Sequence, residues 1–242
     1  MSDLGLLAPF PDDWQRALVV MAHPDDMEYG GAAAVAAWTA AGKDVRYLLV
    51  TKGEAGIESM PPGEAAEVRV AEQRASAALV GVDEVEFLDH PDGMVEPGLA
   101  LRRDLAAAIR RARPEVVLAV NHRETYGPGA LNQADHRIVG QATIDAVRDA
   151  ANRWVFHELA EEGHEPWDGV RHVAVVASPQ PTHAVDVTET LALGVESLRL
   201  HAAYLAGLGG PDPETFLRHA AEEAAERFGG RLAVTFELVV GG

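Results

Sequence analysis

The sequence predicts a single Rossmann-like α/β domain, a mostly parallel sheet with helices on both faces. Three observations predict it. Apolar strand-like runs alternate with segments of helical period along most of the chain, the order that builds parallel β-α-β units. The 242 residues are 48% hydrophobic, enough for one large core. A cluster of ligand-type side chains, His23-Pro24-Asp25-Asp26-Met27-Glu28, stands directly after the first apolar run. In open α/β sheets that strand end is where ligands bind.

The elements follow in order. Residues 17–22, Ala-Leu-Val-Val-Met-Ala, read as the first strand. Residues 30–41 form an alanine-rich helix stopped by Gly42, because glycine accepts the left-handed backbone that ends helices. Residues 45–50 are a second strand. Residues 64–80 place apolar side chains at helical spacing and end at Gly81. A third strand at 85–88, a helix at 99–112, a fourth strand at 116–120 and a helix at 135–151 continue the alternation.

Beyond Arg153 the pattern loosens. Strands are expected at 172–177 and 184–187, then a helix over 189–205, a loop at 207–213, a helix at 214–227 and a terminal strand at 232–240. The core domain therefore spans about 17–205, with the 214–240 helix and strand attached to it. No internal repeat, low-complexity tract or dividing linker interrupts it.

Composition narrows the function. The net charge is −18, from 20 basic and 38 acidic residues. Such acidity argues against nucleic acid or an anionic membrane as partner. There is no cysteine, hence no disulfide and no thiolate ligand. No apolar run reaches the roughly 18 residues of a spanning helix. The Met-Ser-Asp-Leu-Gly start lacks a basic region followed by an apolar one, so cytoplasm is the expected location. A small-molecule substrate fits best, and a homo-oligomer is compatible with all of this.

His23 and Asp26 lie three apart across a tight turn, close enough to share one ion. Asp25 between them would point elsewhere. His136, opening the helix after the fourth strand, is the best third donor. Two histidines and one carboxylate with an open fourth position make a catalytic rather than a structural zinc site. The same donors also accept iron or manganese. The bland readings are an Asp-capped helix start for 23–28 and an ordinary surface histidine at 136. A dinucleotide site is disfavoured, since the first strand leads into carboxylates rather than a glycine-rich turn. Two long loops, 53–63 and 122–133, leave the same sheet edge and carry candidate function.

Several blocks together resemble the LmbE-like, or PIG-L, superfamily of zinc-dependent de-N-acetylases. They are Ala22-His23-Pro24-Asp25-Asp26 with Glu28, Thr51 with Gly53-Glu54 and Gly56, Arg69 with Glu72 and Arg74, Phe87-Leu88 followed by Asp92-Gly93, Asp135-His136-Arg137, and Asp186 with Thr188 and later His201. The resemblance implies hydrolysis of an N-acetyl or related N-acyl group on an amino-sugar conjugate. It implies one Zn2+ per chain, held by His23, Asp26 and His136, with Asp25 as general base toward the metal-activated water. Asp135 would orient the His136 ring from behind. Glu54, Arg69 and Asp92 would contact substrate, although Arg69 could equally be paired with nearby acids and Asp92 could be part of a plain turn. Asp25 could return its proton to the leaving amine; Gln133 stands where many members carry a histidine, so that histidine's part as acid or oxyanion helper would fall to His122 or Tyr126 on the same loop. Glutamine can only donate a hydrogen bond to the oxyanion. Two alternatives stay open: an amidase for a thiol conjugate or other amide, and a non-catalytic protein that binds an amino sugar or a metal. Asp25 weighs against the second, because a binding module has no use for a base beside its metal.

Overall fold

The computed structural model describes residues 5–210 and 212–240 of the chain. Met1–Leu4, read above for an export signal, lie outside the described residues, as do Pro211 of the expected 207–213 loop and the last two glycines. A two-residue strand β1 (Ala8–Pro9) precedes the first long strand, β2 (Arg16–Met21). β2 turns into helices α1 (Asp26–Gly30) and α2 (Ala32–Ala40), followed by β3 (Asp44–Leu49). Helix α3 (Pro62–Leu79) leads to β4 (Val85–Phe87), and α4 (Leu99–Ala112) to β5 (Val116–Ala119). A hairpin of β6 (Thr125–Gly127) and β7 (Ala130–Leu131) comes before α5 (Ala134–Ala151) and a short α6 (Glu158–Glu161). The rest is β8 (His172–Val176), β9 (His183–Asp186), α7 (Leu191–Arg199), α8 (Ala202–Leu208), α9 (Pro213–Ala225) and β10 (Ala233–Val240).

Eight strands form one sheet in the order β1-β9-β10-β8-β5-β2-β3-β4. Neighbours from β8 to β4 pair in parallel, whereas β10 runs antiparallel to β8 and β9. Buried on both faces, the central strands are nearly uniform in apolar character: Val19, Val20 and Met21 of β2 and Val116, Val117 and Leu118 of β5 are wholly shielded. From β2 the chain winds through β3 and β4, then crosses to β5 on the other flank of β2. The carboxyl ends of β2 and β5 therefore bound a crevice at the reversal of strand order. His23 leaves one of them, and the loop to His136 leaves the other.

Helix α5 buries Val139, Ala142, Ala146 and Ala150, at helical spacing. Its Gly140 meets the end of β5 so closely that a Cβ there would lie 2.3 Å from the Val120 carbonyl oxygen. That contact sets the depth at which α5 carries His136.

Three features depart from the sequence expectation. The expected 189–205 helix is two helices, α7 and α8, broken at His201, whose ψ of 49° leaves the helical range. Its ring is wholly buried, and Glu72 of α3 accepts the Ala203 N–H at 2.6 Å, so α8 starts anew at an angle set by α3. The expected 30–41 helix begins earlier and is interrupted at Gly31, giving α1 and α2. The β1 strand, the β6–β7 hairpin and α6 had no periodic signal, being two to four residues long.

Gly140→Ala forces backbone apart and is expected to cost ~1–3 kcal/mol of stability. Urea unfolding monitored by circular dichroism measures it; an unchanged midpoint would contradict the packing of α5 on β5.

Candidate metal centre

The turn between β2 and α1 is held by its own side chains. Asp26 Oδ2 accepts the Ala22 N–H at 3.0 Å and the His23 N–H at 2.9 Å. Its Oδ1 lies 3.0 Å from His136 Nε2. His23 Nδ1 stands 3.1 Å from the same His136 nitrogen and 3.7 Å from Asp26 Oδ2. Two imidazole nitrogens and a carboxylate thus converge on one point. Imidazole and carboxylate donors facing one another at this range fit a divalent cation, and all three side chains are at least nine-tenths shielded from solvent.

The far side of His23 is equally committed. Its Nε2 is 3.2 Å from Asp135 Oδ2 and 3.1 Å from Asp92 Oδ1. These oxygens belong to carboxylates already bound to backbone: Asp135 accepts the Gly93 and Val95 N–H groups, and Asp92 the Ala55 N–H. The second group is therefore a hydrogen-bonded brace rather than a vacant ligand set. It orients the ring so that Nδ1 faces Asp26 and His136. Against burial, the bonds to Asp135, Asp26 and Asp92 raise the His23 pKa well above the usual imidazole value. Asp26 is also buried, yet the charge and hydrogen bond of His136, with those of His23, hold its carboxyl far below the ordinary range.

Asp25 stands apart from these donors. Its backbone is left-handed, with φ of 90°, a conformation that costs ~1–3 kcal/mol for a residue other than glycine. Gln73 of α3 secures it by accepting the Asp25 N–H at 2.9 Å. The Gln73 amide in turn donates to Glu28, which also accepts from Ser76 at 2.7 Å. Asp25 Oδ1 is 3.0 Å from the Arg69 guanidinium, and Oδ2 has no hydrogen bond among the described residues. Burial, opposed by Arg69 and reinforced by Asp26, raises the Asp25 carboxyl to about 7.

Arg69 is itself buried. It donates to the Pro24 carbonyl and stacks on Tyr204, 4.0 Å from the ring centre. Gly53 and Gly56 make room for it, since a Cβ on Gly56 would fall 2.1 Å from Nη1. The spacing of Gly53 and Gly56 is thereby explained as a cradle for the guanidinium.

Residues 18–147, more than half of the chain, match the model of a family described as PIG-L, GlcNAc-PI de-N-acetylase. The chain belongs to the PIG-L family. Its relatives include a diacetylchitobiose deacetylase from Thermococcus kodakarensis, 27% identical over 82% of this chain and 73% of that one. A 1D-myo-inositol 2-acetamido-2-deoxy-alpha-D-glucopyranoside deacetylase from Geodermatophilus obscurus is 29% identical over 78% and 76%. The crystal structure of N,N'-diacetylchitobiose deacetylase from Pyrococcus horikoshii, complexed with an inhibitor, superposes with a TM-score of 0.85. That structure is 26% identical and covers 94% of this chain and 85% of its own.

Within this PIG-L chain, one cleft of about 850 Å³ brings together His23, Asp25, Asp26, Arg69, Asp92, Tyr126, Gln133 and His136. Three expectations need correction. Asp135 was expected behind His136 but braces His23, because Gly93 and Val95 pin its carboxylate on that side. The group behind His136 is the Tyr126 hydroxyl, 2.5 Å from Nδ1. Glu54 does not line the cleft; it accepts the Asp92 N–H at 3.0 Å and the Lys52 N–H at 3.2 Å, tying two loops together. His122 does not line it either; its Cβ lies against Gly140 and its Nδ1 is buried without a hydrogen-bond partner among the described residues. Gln73 and Tyr204 escaped the sequence reading altogether. Their positions in α3 and α8 carry no motif, and only the fold brings them to Asp25 and Arg69.

Tyr126→Phe removes the hydroxyl behind His136. Metal affinity is expected to fall ~10–100-fold, read by competitive titration with a chromophoric chelator, with unfolding unchanged. An unaltered affinity would remove Tyr126 from the support of His136.

Proposed function

We propose that this chain is a zinc-dependent hydrolase that removes the N-acetyl group from an amino-sugar conjugate. The observation that carries the proposal is the pairing, within one cleft, of a His-Asp-His donor set with a separate carboxylate, Asp25, that ligates nothing. The two relatives named above, each described as a deacetylase of an N-acetylated amino sugar, support this substrate class.

The residues present fit a divalent ion held by His23, Asp26 and His136. Such an ion, when bound, acidifies a water toward a pKa of ~7 and polarises the amide carbonyl. Asp25 does the proton work. Its free Oδ2 takes a proton from the attacking water as the new C–O bond forms. The same carboxyl returns that proton to the nitrogen as the C–N bond breaks, so acetate and a free amine leave. Arg69 keeps Asp25 Oδ1 occupied and so fixes which oxygen faces the water. Gln133, at the mouth of α5, supplies an amide N–H to the developing oxyanion without releasing a proton. With His122 outside the cleft lining and the Tyr126 hydroxyl bound to His136 Nδ1, the second proton transfer rests on Asp25. Arg69 and Asp92 line the cleft but are bound to protein partners, so their part in binding the sugar is indirect, through Asp25 and His23.

Asp25→Asn tests the assignment. The variant is expected to hold metal like the wild type and lose ~10²–10⁴-fold in kcat on an N-acetylglucosaminide, followed as acetate release. Turnover at the wild-type rate would refute the role of Asp25.

A further inference from the structure

The cleft has a second character at its outer end. Beyond the donors, its wall is Tyr29 of α1, Tyr204 and Leu208 of α8, and Phe216 of α9. Tyr29 and Phe216 meet edge to face, with ring centres 5.4 Å apart. Leu208 and Phe216 remain 52% and 41% exposed. An apolar patch at a cleft mouth marks a place where ligand is to be covered. Leu208 and Phe216 lie outside residues 18–147, the stretch that matches the family.

Charge and size restrict the occupant. Three carboxylates line the cleft, Asp25, Asp26 and Asp92, against one guanidinium, Arg69. That guanidinium is spent on Asp25, Pro24 and the Tyr204 ring. No permanent cation in the lining is left to receive a phosphate or carboxylate. A volume of about 850 Å³ lies toward the upper end of the ~300–1,000 Å³ of small-molecule sites, so it holds more than one sugar ring. Leu208 and Phe216 carry no side-chain group that could hydrogen-bond the hydroxyls of a second sugar.

We infer that Tyr29, Leu208 and Phe216 form an aglycone subsite that selects amino sugars carrying an uncharged, apolar ring. The inference rests on the amino-sugar reading of the site given above and adds the class of conjugate. Phe216 offers the aromatic face, Tyr29 fixes its tilt, and Leu208 closes the side toward α8. Phe216 acts here as a specificity residue, remote from the proton transfers.

The test compares four substrates by acetate release: phenyl N-acetyl-β-D-glucosaminide, free N-acetylglucosamine, N,N'-diacetylchitobiose and N-acetylglucosamine 6-phosphate. The phenyl glycoside is expected to have the highest kcat/KM and the phosphate the lowest. Phe216→Ala is expected to cut the ratio of phenyl glycoside to free sugar about tenfold, chiefly through KM, and Phe216→Tyr to restore it. A ratio unchanged in Phe216→Ala, or preference for the disaccharide or the phosphate, would overturn the inference. Calorimetric binding of phenyl β-D-glucosaminide, the amine product, separates the two readings. Binding weakened about tenfold by Phe216→Ala without any turnover would uphold the subsite and remove the deacetylase. Equal binding to both proteins would overturn the subsite, whatever the turnover.

Discussion

The site depends on how one imidazole is held. His23 is clamped at Nε2 by Asp135 and Asp92, and this clamp turns Nδ1 toward Asp26 and His136. The clamp spans three separate segments: the turn after β2, the loop before α4 and the start of α5. It therefore also locks the carboxyl ends of β2 and β5 together at the reversal of strand order. Removing either carboxylate would free the ring to rotate and would leave the other buried charge short of a partner, an effect of ~1–3 kcal/mol. The backbone N–H bonds that Asp135 and Asp92 accept explain how such carboxylates are tolerated in the interior.

A second constraint sits one residue along. Asp25 adopts a left-handed backbone that an ordinary turn would avoid. The cost is offset by Gln73 at its N–H and by Arg69 at its carboxylate. Glu28, Ser76, Ser197 and His201 extend this support inward as a buried polar layer between α1, α3 and α7. The layer is the structural reason for the break at His201: a straight helix through that point could not bury the ring against Glu28 and also lay Tyr204 over Arg69. Support of this kind separates the two acids of the Asp25-Asp26 pair. One is drawn into the donor set, and the other is held beside it with a free oxygen.

Much of this was legible in the sequence, for local reasons. The alternation of apolar strands with helical periods requires only short-range pattern, and it located β2, β3, β5, α3, α4 and α5. The His23-Pro24-Asp25-Asp26 turn is also local, so its association with a strand end could be read directly. What was not legible is pairwise and distant. Asp135 is adjacent to His136 in sequence, which suggested His136 as its partner. Neighbouring residues at a helix start point in different directions, and Asp135 reaches across to His23 instead. Glu54 and His122 belong to loops that leave the right sheet edge, yet neither lines the cleft: Glu54 ties the Asp92 N–H and the Lys52 N–H together, and His122 sits where its Cβ lies against Gly140. Gln73 and Tyr204 have no signature that distinguishes them from any glutamine or tyrosine on a helix.

The central claim is that His23, Asp26 and His136 hold one divalent metal ion. It is tested most directly by elemental mass spectrometry of wild type and His136→Ala, both purified without added metal. About one zinc per chain is expected in the wild type, and its loss in the variant. A wild type that stays free of metal when zinc is offered at neutral pH, or a variant that retains it, would contradict the account.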